Sequence, residues 1–147
     1  MKTVELKEKG AIFFERIEEG FSDYKDEIIV LEEGEAEEHF KKLIQEYGQE
    51  NAYADFYYYK VSEEARLKID GVLSEDELEY IHKLQVGDSE NIIFSLDETL
   101  LQIIVKLNAE EMLFSTIYFL ENGEKKRSTW WGNYNKEYYC FTDKESA

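Results

Sequence analysis

Two adjacent tryptophans, Trp130 and Trp131, sit inside a closing third that reads as strand after strand: MLFSTIYFL, then Asn122-Gly123, then RSTWWGNY, then EYYCFT. Successive strand residues point to opposite faces of a sheet, so both tryptophans are buried only if both faces are covered. The chain must therefore place material on each side of these strands or leave an aromatic face open. Asn122-Gly123 is a strong hairpin turn signal and Asn135-Lys136 a weaker one. With both as two-residue turns, Ile117, Phe119, Trp130, Tyr139 and Phe141 share one face, which reads as core. In that pairing Gly132 leaves room for Tyr139 to lie across it. The other face collects Phe114, Thr116, Tyr118, Trp131, Asn133, Tyr138 and Cys140, rings mixed with hydroxyls, an amide and a thiol. It is either covered by another part of the chain or open to a partner. A one-residue slip in either turn exchanges the faces.

Upstream, the spacing alternates between helix and strand. Gly10, Phe13, Phe14, Ile17 and Phe21 fall on one stripe of a helix within residues 4–21, which Gly10 weakens. Ile28 to Leu31 is a short β-branched run that reads as a strand. Ala36, Phe40, Leu43, Ile44 and Tyr47 define a second helix, acidic in its first turn and stopped by Gly48. Residues 52–60 read as a strand with Tyr53, Asp55, Tyr57 and Tyr59 to one side, and residues 61–71 carry no clear period. Ser74 and Glu77 form a capping box, with Leu73 placed to staple onto Leu78. Ser95 and Glu98 box the next helix, whose Leu100, Leu101, Ile103, Ile104, Val105 and Leu107 make it apolar enough to be central. This order predicts an α+β fold in one domain, residues 1–147. Helices pack on one face of a mostly antiparallel sheet that ends in a C-terminal three-stranded meander.

Composition narrows the function classes. At 147 residues with 43% hydrophobic content, the chain can bury a real core. A single cysteine, Cys140, excludes an internal disulfide and any multi-cysteine metal site. The only apolar run near the start, Ala11-Ile12-Phe13-Phe14, is too short for a signal peptide or a membrane span, so a cytoplasmic location is expected. The net charge is −17, and the five acids and five bases after residue 111 cancel, so the excess acid precedes the aromatic strands. Such a field repels nucleic acid and anionic membrane and speeds encounter with a basic protein, although the same charge also serves solubility.

Catalytic signatures are sparse. The chain has no Gly-rich phosphate loop and no nucleophile elbow. Glu79-x-x-His82 has the spacing used in di-iron bundles, but His39 lacks the matching glutamate, so neither a metal nor any other cofactor is expected. Asp55 lies within YADFYYY. The plainer expectation puts it on a solvent face; an acid held among aromatics would instead have a raised pKa and act as a general acid. Cys140 has no histidine partner in sequence and reads as a small packed residue. Lys125, Lys126 and Arg127 are too few for a nucleic-acid footprint and read as edge protection of the hairpin.

The stretches LFSTIYF and TWWGNYNKEYYCF resemble the closing strands of small acidic bacterial proteins of the immunity type, which accompany secreted toxins. The resemblance covers about the last 30 residues and no catalytic motif. It implies a non-catalytic module that binds another protein, one with a basic surface. Candidate acids for such a dock are Glu32, Glu33, Glu35, Glu37 and Glu38. Candidate anchors are Trp131, Tyr118 and Tyr138, with Asn133 beside them. Two other readings stand next to it. One is a ligand-binding protein or enzyme with a pocket of Tyr53, Asp55, Tyr57 and Tyr59. The other is a structural or regulatory homodimer built on the aromatic face.

Overall fold

The computed structural model describes residues 1–84, 91–123 and 125–144. Its frame is one six-stranded sheet: β1 (Lys25–Val30), β2 (Ala52–Asp55), β3 (Ile93–Ser95), β4 (Thr116–Phe119), β5 (Ser128–Gly132) and β6 (Glu137–Thr142). The spatial order is β1-β6-β5-β4-β2-β3, and every adjacent pair is antiparallel. The α+β architecture follows the expectation, and β4, β5 and β6 form the C-terminal meander.

Four helices pack on one face: α3 (Glu33–Tyr47), α4 (Glu63–Asp70), α5 (Glu75–Leu84) and α6 (Glu98–Ala109). Helix α6 buries Leu100, Leu101, Ile103, Ile104, Val105 and Leu107, the centre of the core. Opposite it lie Ala52, Ala54, Ile117, Phe119, Trp130, Tyr138 and Cys140. Gly48, at φ +95, ends α3. The Ser74/Glu77 box opens α5, with Glu77 Oε1 accepting from Ser74 N at 2.9 Å and Ser74 Oγ from Glu77 N at 3.1 Å. At α6 the cap is Asp97, accepting from Leu100 N at 2.8 Å, rather than Ser95. Ser95 is still a strand residue, so Asp97, two positions on, is the residue at the helix start whose side chain meets the Leu100 N–H. Residues 61–71 hold α4, capped by Ser62.

The predicted helix over residues 4–21 is broken in two. Gly10, at φ +98, ends α1 (Thr3–Glu8), and helix resumes only at α2 (Ile17–Asp23). Between them Ala11 to Phe14 runs non-helically over the second face of the sheet. The Thr129 hydroxyl donates to Ile12 O at 2.7 Å, and Arg127 donates to Gly10 O at 3.0 Å. Phe13 stacks on Tyr118, and Phe14 packs on Trp131 and Phe141. Both sheet faces are thus covered along this line, which lets Trp130 and Trp131 point oppositely. Among the described residues no helix is long and apolar enough to cross a membrane.

Strand pairing corrects the predicted partners. The first hairpin closes on Asn122 and Lys125, which exchange both backbone hydrogen bonds, so Ile117 faces Trp130 and Thr116 faces Trp131. A two-residue turn on Asn122-Gly123 sets Ile117 opposite Ser128, so the observed pairing is offset by two residues and the faces keep their membership. The second hairpin has a three-residue loop, Tyr134–Lys136, closed by Asn133 N to Glu137 O at 3.0 Å. Asn135 and Lys136 take positive φ there, and the extra residue slips the pairing by one. Trp130 therefore faces Cys140, Trp131 faces Tyr139, and Gly132 faces Tyr138. Tyr138 and Cys140 move to the helix side, and Tyr139 and Phe141 to the other. The space left by Gly132 is filled by Asn108 of α6, whose side chain a Cβ would meet at 2.6 Å.

A second glycine sets the seat of α2. A Cβ on Gly20 would lie 2.4 Å from the Phe14 ring and 2.7 Å from the Phe141 ring. Helix propensity alone would make Gly20→Ala stabilising by up to ~1 kcal/mol. Overpacking against two buried rings costs about 1–3 kcal/mol. Urea unfolding should show a net loss of stability for Gly20→Ala; a gain would mean that α2 lifts off the rings freely.

Candidate functional site

Where the N-terminal segment leaves the second face, a cleft of about 610 Å³ opens. Its floor is a row across three strands. Asp55 ends β2 and stands beside Thr116 at the start of β4, which faces Trp131 on β5. Tyr118 adds a ring from one step along β4. One wall is the N-terminal stretch, with Phe13, Phe14, Glu15, Ile17 and Thr3. The other is built from strand ends at one edge: Tyr57 after β2, Phe114 before β4, and Gly132-Asn133 where β5 ends.

Asp55 is the unusual group. The residue is 5% exposed, and its Oδ1 accepts from Thr116 N at 2.7 Å. The β2–β4 ladder ends at Ala54–Ile117, so this carboxylate satisfies the first N–H beyond it. Burial raises the Asp55 pKa to about 7, against the opposing effect of hydrogen bonds from Thr116 and from Tyr57. The sequence favoured a solvent-facing Asp55. That expectation is overturned because β3 pairs on the outer side of β2 and the N-terminal segment crosses above it. The alternative placement, an acid held among aromatics with its pKa raised, is the one found, without bearing on a general-acid role. Tyr57 and Tyr118 are held neutral too, their phenols raised by burial and by the Asp55 charge. The site therefore offers one carboxyl able to gain or lose a proton near neutral pH, flanked by phenols that stay protonated.

The other predicted pocket residues separate. Tyr53 shares the face of Asp55 but packs against the small cluster of Leu6, Ala11, Ile93, Tyr118 and Leu120 rather than lining the cleft. Tyr59 leaves the strand, because a 3₁₀ turn (Tyr58–Lys60) follows Tyr57. It is exposed, and its hydroxyl lies 2.8 Å from His82 Nδ1. The predicted partner residues divide as well. Trp131, Tyr118 and Asn133 all line the cleft. Tyr138 does not: the one-residue slip puts it under α3, against Phe40, with its hydroxyl 3.2 Å from Asn108 Nδ2. Glu32, Glu33, Glu35, Glu37 and Glu38 open α3 on the opposite side of the sheet. Glu32 there pairs with Lys136 at 2.7 Å, and Glu35 caps the Glu32 N–H. Acids and aromatic anchors thus do not form one continuous surface.

Thr116 and Phe114 were read from sequence as members of the mixed aromatic face, though not among the site residues, and the N-terminal wall was not foreseen. The one signal for that wall was Gly10, a helix breaker just before the apolar run Ala11 to Phe14. Elsewhere, Glu79 pairs with Lys83 at 3.1 Å, and His39 packs on Phe40 and Trp130 with its pKa lowered by burial. Among the described residues no group of His, Cys, Asp and Glu is placed to hold a metal ion. Cys140 is buried, and burial pushes its thiol up to about 12, so it is not a thiolate nucleophile at neutral pH. The three basic residues of the first hairpin are each paired: Lys125 with Glu46, Lys126 with Glu121 and Arg127 with Asp143. No protein-family model, curated protein or solved structure matches the chain.

The raised pKa of Asp55 has a stability consequence. The folded state binds this proton more tightly than the unfolded chain, where an aspartate titrates near ~4. Stability linked to Asp55 is therefore complete below pH ~4 and lost as pH rises to about 7, at up to ~1.4 kcal/mol per pH unit. Asp55→Asn should remove that slope. In urea unfolding from pH 4 to 8, wild type minus variant should fall with pH and flatten above about 7; a difference independent of pH would place the carboxyl in an ordinary range.

Proposed function

We propose that the protein binds a small molecule in the cleft between the N-terminal segment and the sheet, with Asp55 as its polar anchor. The observation that carries this reading is the buried carboxyl at the floor of a recess with six aromatic side chains in its lining. Ligand sites are typically apolar clefts of ≈ 300–1,000 Å³ with a few placed polar groups, and about 610 Å³ lies within that range. Asp55 supplies the convergent polar group, and Trp131, Phe13 and Phe114 supply contact area. Binding is favoured over catalysis, because the cleft pairs its buried carboxyl with no cysteine or serine nucleophile, metal cluster or basic side chain among its lining residues. A fragment screen by ligand-observed NMR tests this. Hits should weaken at least about tenfold, or ~1.4 kcal/mol, in Trp131→Ala. They should be unchanged in Glu33→Gln, which lies across the sheet. Hits indifferent to Trp131→Ala would locate binding elsewhere.

A second reading, a protein-binding or homodimeric module, is favoured by a different observation. Strand β1 lies at the sheet edge, and Ile28 and Val30 are 53% and 60% exposed there, on the same face as the 43%-exposed Phe21. An exposed apolar patch on an edge strand is material for association. If this patch joins two copies, sedimentation should show a dimer that Val30→Lys dissociates. A monomer at all concentrations would leave only a heterologous partner for it.

A further inference from the structure

We propose that the ligand of this cleft is an organic ammonium ion: a protonated amine facing Asp55, on an apolar or aromatic body lying against Phe13, Trp131 and Phe114. The inference rests on the cleft reading above and names its ligand class.

Charge is the first argument. The described lining holds two carboxylates, buried Asp55 and the exposed rim residue Glu15, and no Lys, Arg or His. An anionic ligand would bring its charge beside Asp55 with no basic lining residue to receive it; Lys7, over the Phe13 ring at 5.0 Å, lies outside the lining. A cation instead supplies the counter-charge that the buried carboxylate lacks, and a desolvated carboxylate is costly without one. The net charge of −17 raises the local concentration of cations in the same direction. Aromatic walls also suit a cation, since ring faces attract an ammonium group.

Hydrogen bonding is the second argument. A primary ammonium has three donors and no acceptor. Tyr57 and Thr116 line the cleft with Asp55, and their hydroxyls act on its pKa in the direction that favours the carboxylate. The lining thus carries the oxygens of Asp55, Tyr57 and Thr116, and Oδ1 of Asp55 already spends one lone pair on Thr116 N. The site is rich in acceptors, and an ammonium head matches it better than an alcohol or an acid.

Proton linkage supplies the test. The groups facing Asp55 are Tyr57 beyond β2, Tyr118 and Thr116 on β4, Glu15 on the N-terminal wall and the apolar Ile93 on β3. Both phenols stay neutral throughout the range of interest. Below about pH 7 an ammonium ligand must displace the Asp55 proton, so its affinity falls by up to about tenfold per pH unit and levels off above.

The experiment measures binding of benzylamine, benzyl alcohol and benzoate to the full chain by calorimetry and Trp fluorescence, at pH 5.5, 6.5 and 7.5. Wild type, Asp55→Asn and Trp131→Ala are compared; the asparagine keeps an acceptor for Thr116 N, and circular dichroism checks its fold. The expected result is that benzylamine binds about tenfold or more tighter than benzyl alcohol at pH 7.5, with benzoate weakest. Its affinity falls about tenfold or more at pH 5.5 and is lost in Asp55→Asn. If benzyl alcohol equals benzylamine, or benzylamine ignores both pH and Asp55→Asn, the ammonium assignment is overturned. The cleft reading still stands in that case if Trp131→Ala weakens binding. If none of the three probes binds at concentrations on the order of 10 mM, both readings fall.

Discussion

The crossing of the second sheet face by Ala11 to Phe14 is the constraint on which the rest depends. Two polar fastenings hold it: the buried Thr129–Ile12 hydrogen bond and the Arg127 contact to Gly10 O. Each joins residues 117 apart in the chain, so the first elements are bound to the last strands. The segment then contributes Phe14 to a ring cluster with Trp131 and Phe141, an aromatic arrangement that adds to simple area burial. Without it, the sheet would present Tyr118, Trp131 and Phe141 to water. With it, one face is closed along a line and left open beside that line, and the opening is the cleft.

Asp55 acquires its properties from the same crossing. Its carboxyl ends a strand pairing, which is an ordinary structural task for an aspartate at a sheet margin. The N-terminal wall turns that margin into a low-dielectric recess, and desolvation then dominates over the hydrogen bonds that favour the charged form. A structural cap and a proton-exchanging group are therefore one residue. The acids of α3 lie across the sheet, so the strong negative field and the aromatic recess work at different ranges: the field acts on diffusing ions, and the recess on the molecule that arrives.

Much of the helical face was legible in the chain. Helix α3 and its Gly48 stop, the Ser74/Glu77 box and the nearly all-apolar α6 are set by local rules of capping and periodicity, which tertiary context here reinforces. The meander was legible for the same reason, because Asn122-Gly123 marks its first turn. Of the site, Asp55, Tyr57, Trp131, Tyr118 and Asn133 could be singled out as an acid, rings and an amide in strand-like stretches. The sequence divided them between two separate hypotheses, a tyrosine pocket and a docking face, and the structure brings them into one cleft. Tyr53, Tyr59 and Tyr138 share the same composition and lie elsewhere, because their positions turn on a packed neighbour, a 3₁₀ turn and a one-residue slip.

Sequence by itself determined α3, α5, α6 and the C-terminal meander, the α+β class, the acidic charge excess and the choice, for the Trp130–Trp131 strand, between cover on both sides and an open aromatic face. These follow from residue spacing and charge, which act over a few positions or over the whole molecule. Tertiary structure alone decided what supplies the cover, which faces Tyr138 and Tyr139 take, and that Asp55 is buried. Gly10 could have ended a helix or merely weakened it; only the fit of Phe13 and Phe14 onto Tyr118 and Trp131 decides that the chain unwinds there. Desolvation depends on what lies within a few ångströms in space, and residues far apart in the chain supply that neighbourhood.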